Sequence, residues 1–206
     1  MLCYNVFNIQ AVITKRQSIV KYSVSAIILS VLLASLFLST AIASEDVFEE
    51  IEWTDLIPRD DLAILLDPPE FLLGIEDGSE NDNMETLAEK SKDDAKTKRF
   101  NEALKSERVI TEFDGRKIRI PGFIVPLKNN AQQQVTEFFI VPYFGACLHL
   151  PPPPPNQIIH GRWPAGIDVE DLSIPMWFEG EIDIKKTSSE MGTSVYDLSL
   201  TRYLPY

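Results

Sequence analysis

From Val109 to the C-terminus the chain alternates short apolar runs with turn-forming residues, a punctuation that fits a small β structure far better than a helical one. Ile118 and Ile120 lead into the run Phe123–Leu127; further runs span Val135–Val141, Asn156–Trp163, Met176–Ile184 and Val195–Leu200. Asp114-Gly115 reads as a hairpin-type turn, and the polar stretch Asn129–Gln134 separates the first two runs. Pro121-Gly122 interrupts the first run, and glycine inside a strand marks a bend or bulge. Five short strands, the first bent so that it serves both sheets, predict a five-stranded OB-like (oligonucleotide-binding-type) β-barrel. The fold name itself carries no function.

Upstream, the reading is an α+β chain with four parts: a signal peptide over 1–43, an acidic extension over 44–81, a helix over 82–107 and the OB-like β domain over 108–206. The helix is predicted to start with Asp82 as N-cap and Glu85 three residues on, the spacing of a capping box. Met84, Leu87, Ala88, Ser91 and Ala95 share one face, and Phe100, Ala103 and Leu104 continue a shifted stripe. So few large apolar residues predict a helix that rests weakly on the barrel. The extension carries two hydrophobic islands, Ile51–Pro58 and Leu62–Leu66, read as docking segments.

Lys15, Arg16 and Lys21 precede the apolar run Ala26–Leu38 without any acid, and Ala41-Ile42-Ala43 follows as a small-x-small cleavage site. This pattern predicts export to the periplasm with cleavage after Ala43. An uncleaved inner-membrane anchor is the rival, since Ala26–Ala43 approaches the length that spans a bilayer. The formal charge of the chain is −12, and loss of the basic leader makes the remainder more acidic still. That balance argues against nucleic acid and anionic lipid surfaces as partners.

The segment with the most chemistry is Val141-Pro142-Tyr143-Phe144-Gly145-Ala146-Cys147-Leu148-His149-Leu150, followed by Pro151–Pro155 and Asn156-Gln157. On an extended strand, Cys147 and His149 point to the same face. A thiolate and an imidazole together suit zinc or copper, and His160, the only other histidine, is the candidate third ligand. The alternative is a small core cysteine and a structural or partner-facing role for the segment. Five prolines without backbone donors favour polyproline II, either as a strap across the barrel or as a recognition ridge. Tyr143, Phe144, Asn156 and Gln157 beside that run, with Trp163 and Trp177 next to Pro164 and Pro175, are the candidate binding residues. The chain lacks a Gly-x-Ser-x-Gly elbow, a His-Glu-x-x-His pair, a phosphate loop and a Cys-x-x-Cys pair. A thiol enzyme built on Cys147 and His160 ranks last.

Together with Gly115–Leu127, the Gly-Ala-Cys-x-His-x-Pro-rich segment resembles the core signature of an exported bacterial family, the domain-of-unknown-function 3299 family, over roughly Trp53–Tyr206. Members are often encoded near ABC-type permeases, some linked to zinc supply. The resemblance therefore implies an accessory role, with inner-membrane transport components as the expected partners. Two function classes lead: a non-catalytic periplasmic accessory or partner-binding protein, and a zinc or copper binding protein using Cys147, His149 and His160.

Overall fold

The computed structural model describes residues 47–76, 78–146 and 151–206. The expected signal peptide or anchor over 1–43, and Cys147 and His149, lie outside the described residues. Among the described residues no helix is long and apolar enough to cross a membrane.

Strands β2 (Arg116–Asn129), β3 (Val135–Val141), β4 (Ile159–Ile167), β5 (Met176–Ser189) and β6 (Gly192–Pro205) close in the order β2-β3-β4-β6-β5, with β5 returning to β2. The barrel is mixed: β4 and β6 run parallel, and the other barrel pairs are antiparallel. One outer strand, β1 (Glu49–Glu50), adds in parallel to β2 at Ile118 and Arg119. The expected α+β fold with an OB-like five-stranded barrel is what the structure shows.

The long first strand does serve two neighbours. Its first half pairs with β5 up to Gly122↔Met176, and its second half pairs with β3 from Phe123↔Val141. Gly122 sits where the strand changes partners, and a Cβ there would lie 2.5 Å from Ile140 Cγ2 and 3.0 Å from the Val141 carbonyl oxygen. A glycine is thus required by close approach at the bend. Alternation along β2 sends Ile118, Ile120 and Ile124 inward, where they meet Phe138, Ile140, Ile159, Phe178, Ile182 and Leu198. Each such side chain, fully buried, contributes about 1.5–3 kcal/mol.

The N-terminal island Ile51–Pro58 belongs to this core. Ile51 and Leu56 are buried within it, and the Trp53 indole Nε1 donates to the Pro121 carbonyl at 2.7 Å. Buried Tyr196 holds the same region from the β6 side, donating to the Leu56 carbonyl at 3.0 Å and accepting the Ile110 N–H at 2.8 Å.

The region between differs from expectation. Most of the second island, Leu62–Leu66, lies in a helix, α1 (Arg59–Leu65), and its Ile64 and Leu65 pack against the helices that follow. The single helix expected over 82–107 is two, α2 (Met84–Lys90) and α3 (Ala95–Ala103). The first cap is Asn83, which accepts the Thr86 N–H at 2.9 Å, while Asp82 folds back to accept the Gly78 N–H at 2.8 Å. Asp94 accepts the Thr97 N–H at 2.7 Å and starts α3 afresh. Short polar side chains that capture nearby backbone groups favour caps over helix interiors, so Asp94 breaks the stripe instead of continuing it. Leu87, Phe100 and Leu104 pack with Ile64, Leu65, Phe71, Leu72 and Met84 into a small core separate from that of the barrel.

Two smaller expectations also shift. Asp114-Gly115 is a turn with Gly115 at φ +75°, but it joins the 3₁₀ turn Thr111–Phe113 to β2 rather than two strands. The third strand starts at Ile159 because Pro155–Gln157 forms a 3₁₀ turn first.

Candidate functional site

The outward face of β2–β3–β4 carries its own apolar cluster. Phe139, Val141, Ala146 and Ile158 are buried there, with Phe123, Val125 and Leu127 packed against them. Over this face the chain after β3 turns through Phe144 and Gly145, the latter at φ +77°, and leaves a cavity of about 190 Å³. Its walls are Phe123, Val125, Val141, Phe144, Ala146, Leu172 and Met191, all apolar. Phe144 is 59% exposed, Met191 42% and Leu172 39%, so the rim is apolar as well as the floor. Tyr143 stands beside it, its hydroxyl donating to the Pro151 carbonyl at 2.9 Å.

Next to this cluster on the same face is a buried ionic group centred on His160. The parallel register His160↔Asp197 sets the two side chains side by side, with Nδ1 2.7 Å from Asp197 Oδ2. Nε2 lies 3.0 Å from Glu137 Oε1, and the Phe139 ring stands edge-on to the imidazole. His160 is 2% exposed. Around it, Lys185 Nζ reaches Asp197 at 3.2 Å, Arg162 approaches the same carboxylate at 3.9 Å, and Lys128 Nζ reaches Glu137 at 2.5 Å. The Lys128 ammonium holds the Glu137 carboxyl below its ordinary range, against desolvation and with help from His160. At Asp197 burial pushes the carboxyl upward, but hydrogen bonds from His160 and Lys185 outweigh it and leave it below its ordinary value.

Both carboxyls are therefore depressed in the folded state, which places their stabilising contribution above the unfolded carboxylate range and removes it as pH falls. The thermal midpoint should be nearly flat down to about pH 4 and fall steeply below it. Asp197→Asn should remove part of that acid slope, and an unchanged slope would show that the pairs made by Asp197 contribute nothing.

Of the candidate metal ligands, His160 is the one the structure describes, and both of its ring nitrogens are engaged by carboxylates. To ligate a metal it would have to release Asp197 or Glu137. Among the described residues no group of three or more histidine, cysteine, aspartate or glutamate side chains is placed to hold a metal ion.

The candidate binding residues divide. Phe144 lines the cavity and Tyr143 borders it. Asn156 is fully buried and donates to the Arg108 carbonyl at 2.9 Å, and Gln157 donates to the Trp53 carbonyl at 2.6 Å. These two amides strap the N-terminal segments to the barrel. Trp163 packs perpendicular to Tyr203 at 5.6 Å between ring centroids. Trp177 lies under the Arg119 guanidinium at 4.1 Å and beside Tyr206. Neither lines the cavity. Glu137, Asp197, Leu172 and Met191 escaped sequence reasoning. For Met191 a signal existed: it is a large apolar residue isolated in a polar, turn-rich stretch, Ser188–Gly192.

A small mixed β-barrel with a helical cap and an apolar pocket on its outer face is thus the class of protein this chain defines. It belongs to the DUF3299 family, described as a protein of unknown function, whose family model matches residues 53–204. Among solved structures it is similar to the crystal structure of a DUF3299 family protein from Pseudomonas aeruginosa PAO1. The two share 30% identity with a TM-score of 0.55, over 78% of this chain and 97% of the other. No curated protein matches the chain.

Proposed function

We propose that this protein is a non-catalytic periplasmic binding module that docks through the outer face of its barrel onto a component of an envelope transport system. The observation that carries the reading is the apolar cavity with an apolar rim. A solvent-facing patch of Phe144, Leu172 and Met191 over a preformed pocket is the surface by which proteins recognise partners. Among the described residues, those that line the cavity include no acid, base or nucleophile. The leader pattern of the sequence supports export, and the acidic surface suits a soluble domain rather than one bound to nucleic acid.

A photo-crosslinking amino acid at position 144 or 191, placed in the full chain in cells, tests this. The expected result is a crosslink to a membrane subunit of the permease from both positions. None is expected from position 73, where Leu73 is more exposed than either but does not line the cavity. Equal labelling from all three positions, or none from 144 and 191, would overturn the reading.

A further inference from the structure

Met191, at the tip of the β5–β6 hairpin, lines two cavities at once. On one side is the apolar cavity of about 190 Å³. On the other is a more polar one of about 340 Å³, walled by Pro152, Pro153 and Pro155 of the proline run with Lys105, Glu107 and Thr193. The two adjoin at this one flexible methionine and can be taken as two parts of a groove with Met191 as its ridge, and methionine adapts readily to the shape of what binds it. Resting on the docking reading above, we propose that this groove binds an extended basic segment of a partner polypeptide, with one bulky apolar side chain seated in the apolar cavity.

Three observations fix the chemistry of the occupant. The apolar cavity is large enough for a phenyl ring, since an apolar cavity of about 150 Å³ accommodates benzene. Proline has no N–H, so the wall of Pro152, Pro153 and Pro155 offers no backbone donor, and a segment lying along it has to bring the donors itself. The exposed charge beside the lining residues is acidic. Glu190 precedes Met191 and Glu170 lies two residues before Leu172, and neither has an ion-pair partner among the described residues. Asp171 is held ionised by its hydrogen bonds from Ser173, below its ordinary range. Against these stands Lys105 in the lining of the second cavity, while the nearby Lys186 is tied to Glu107 at 2.5 Å. Lysine or arginine on either side of an apolar anchor supplies both the donors and the complementary charge.

The test uses the full chain and two fluorescent peptides, Lys-Lys-Phe-Lys-Lys and Glu-Glu-Phe-Glu-Glu, followed by polarisation. The basic peptide should bind saturably and the acidic one should not. Replacing its phenylalanine with serine should weaken binding about tenfold or more. The double variant Glu170→Lys, Glu190→Lys should weaken it about tenfold with an unchanged melting temperature, and added salt should act in the same direction. Equal binding of both peptides, or no effect of the double variant, would overturn the basic-segment assignment. So would displacement of the peptide by neutral phosphatidylcholine vesicles, which would assign the apolar cavity to an acyl chain. A crosslink from position 144 without peptide discrimination would sink this inference alone. Discriminating peptide binding with crosslinks from 144 and 191 to a protein other than a permease subunit would uphold it and remove only the choice of permease.

Discussion

Replacing His160 with leucine is expected to cost about 3 kcal/mol of folding stability, the upper end of what leaving a buried hydrogen-bonding group without its partner removes. The imidazole is 2% exposed and is the shared partner of two carboxylates, Asp197 at 2.7 Å and Glu137 at 3.0 Å. Leucine fills comparable space but donates nothing, so both carboxylates are left facing an apolar group. The loss goes no higher because Lys185 remains at 3.2 Å from Asp197 and Lys128 at 2.5 Å from Glu137. Urea unfolding of the two proteins at neutral pH measures it. Adding Asp197→Asn to His160→Leu should recover part of the loss, since it removes the stranded charge. A cost under about 1 kcal/mol would show that the lysines alone satisfy the carboxylates. The same pair of proteins tests the metal reading. If His160 ligates zinc, added zinc should raise the midpoint of the wild type and not that of His160→Leu.

The barrel was legible in the sequence because its information is local. Val135–Val141 was delimited to the residue by its apolar run and flanking turns, and Pro121-Gly122 marked the place where β2 changes neighbours. The helical cap was misread at Ser91–Asp94, where a continuous amphipathic stripe concealed a second N-cap. Periodicity reports which face is apolar; it does not report that a side chain will start the helix again. The ionic group around His160 was invisible for a different reason. His160 and Asp197 are 37 residues apart and meet through the parallel register of β4 and β6, which no local pattern encodes. Asn156 and Gln157 show the converse error. Polar residues beside an unusual motif suggested a ligand, whereas their amides close backbone hydrogen bonds to segments 48 and 104 residues away.

Gly180→Ala is the substitution expected to damage the barrel most for its size. A Cβ at this position would lie 2.4 Å from the Ser199 carbonyl oxygen, 2.9 Å from its carbonyl carbon and 3.0 Å from Leu200 Cα. All three are backbone atoms of the neighbouring strand, so no side-chain rotation can relieve the clash. The approach is close because the β5–β6 register slips between Glu179 and Gly180, drawing the two backbones together at a buried position. Alanine there has to spread the hairpin beside Glu179, whose buried carboxylate is clamped by Arg202 and faced by Arg119. The expected cost is at or above the upper end of the overpacking range, about 3 kcal/mol, a large share of the roughly 5–15 kcal/mol that holds a domain together. Gly115→Ala is the matched control. That glycine has φ +75° but open space around its Cβ position, so alanine costs only the left-handed strain of about 1–2 kcal/mol. Thermal unfolding of the two variants side by side should show the larger drop for Gly180→Ala. Equal drops would mean that the β5–β6 backbones can separate freely at the bulge.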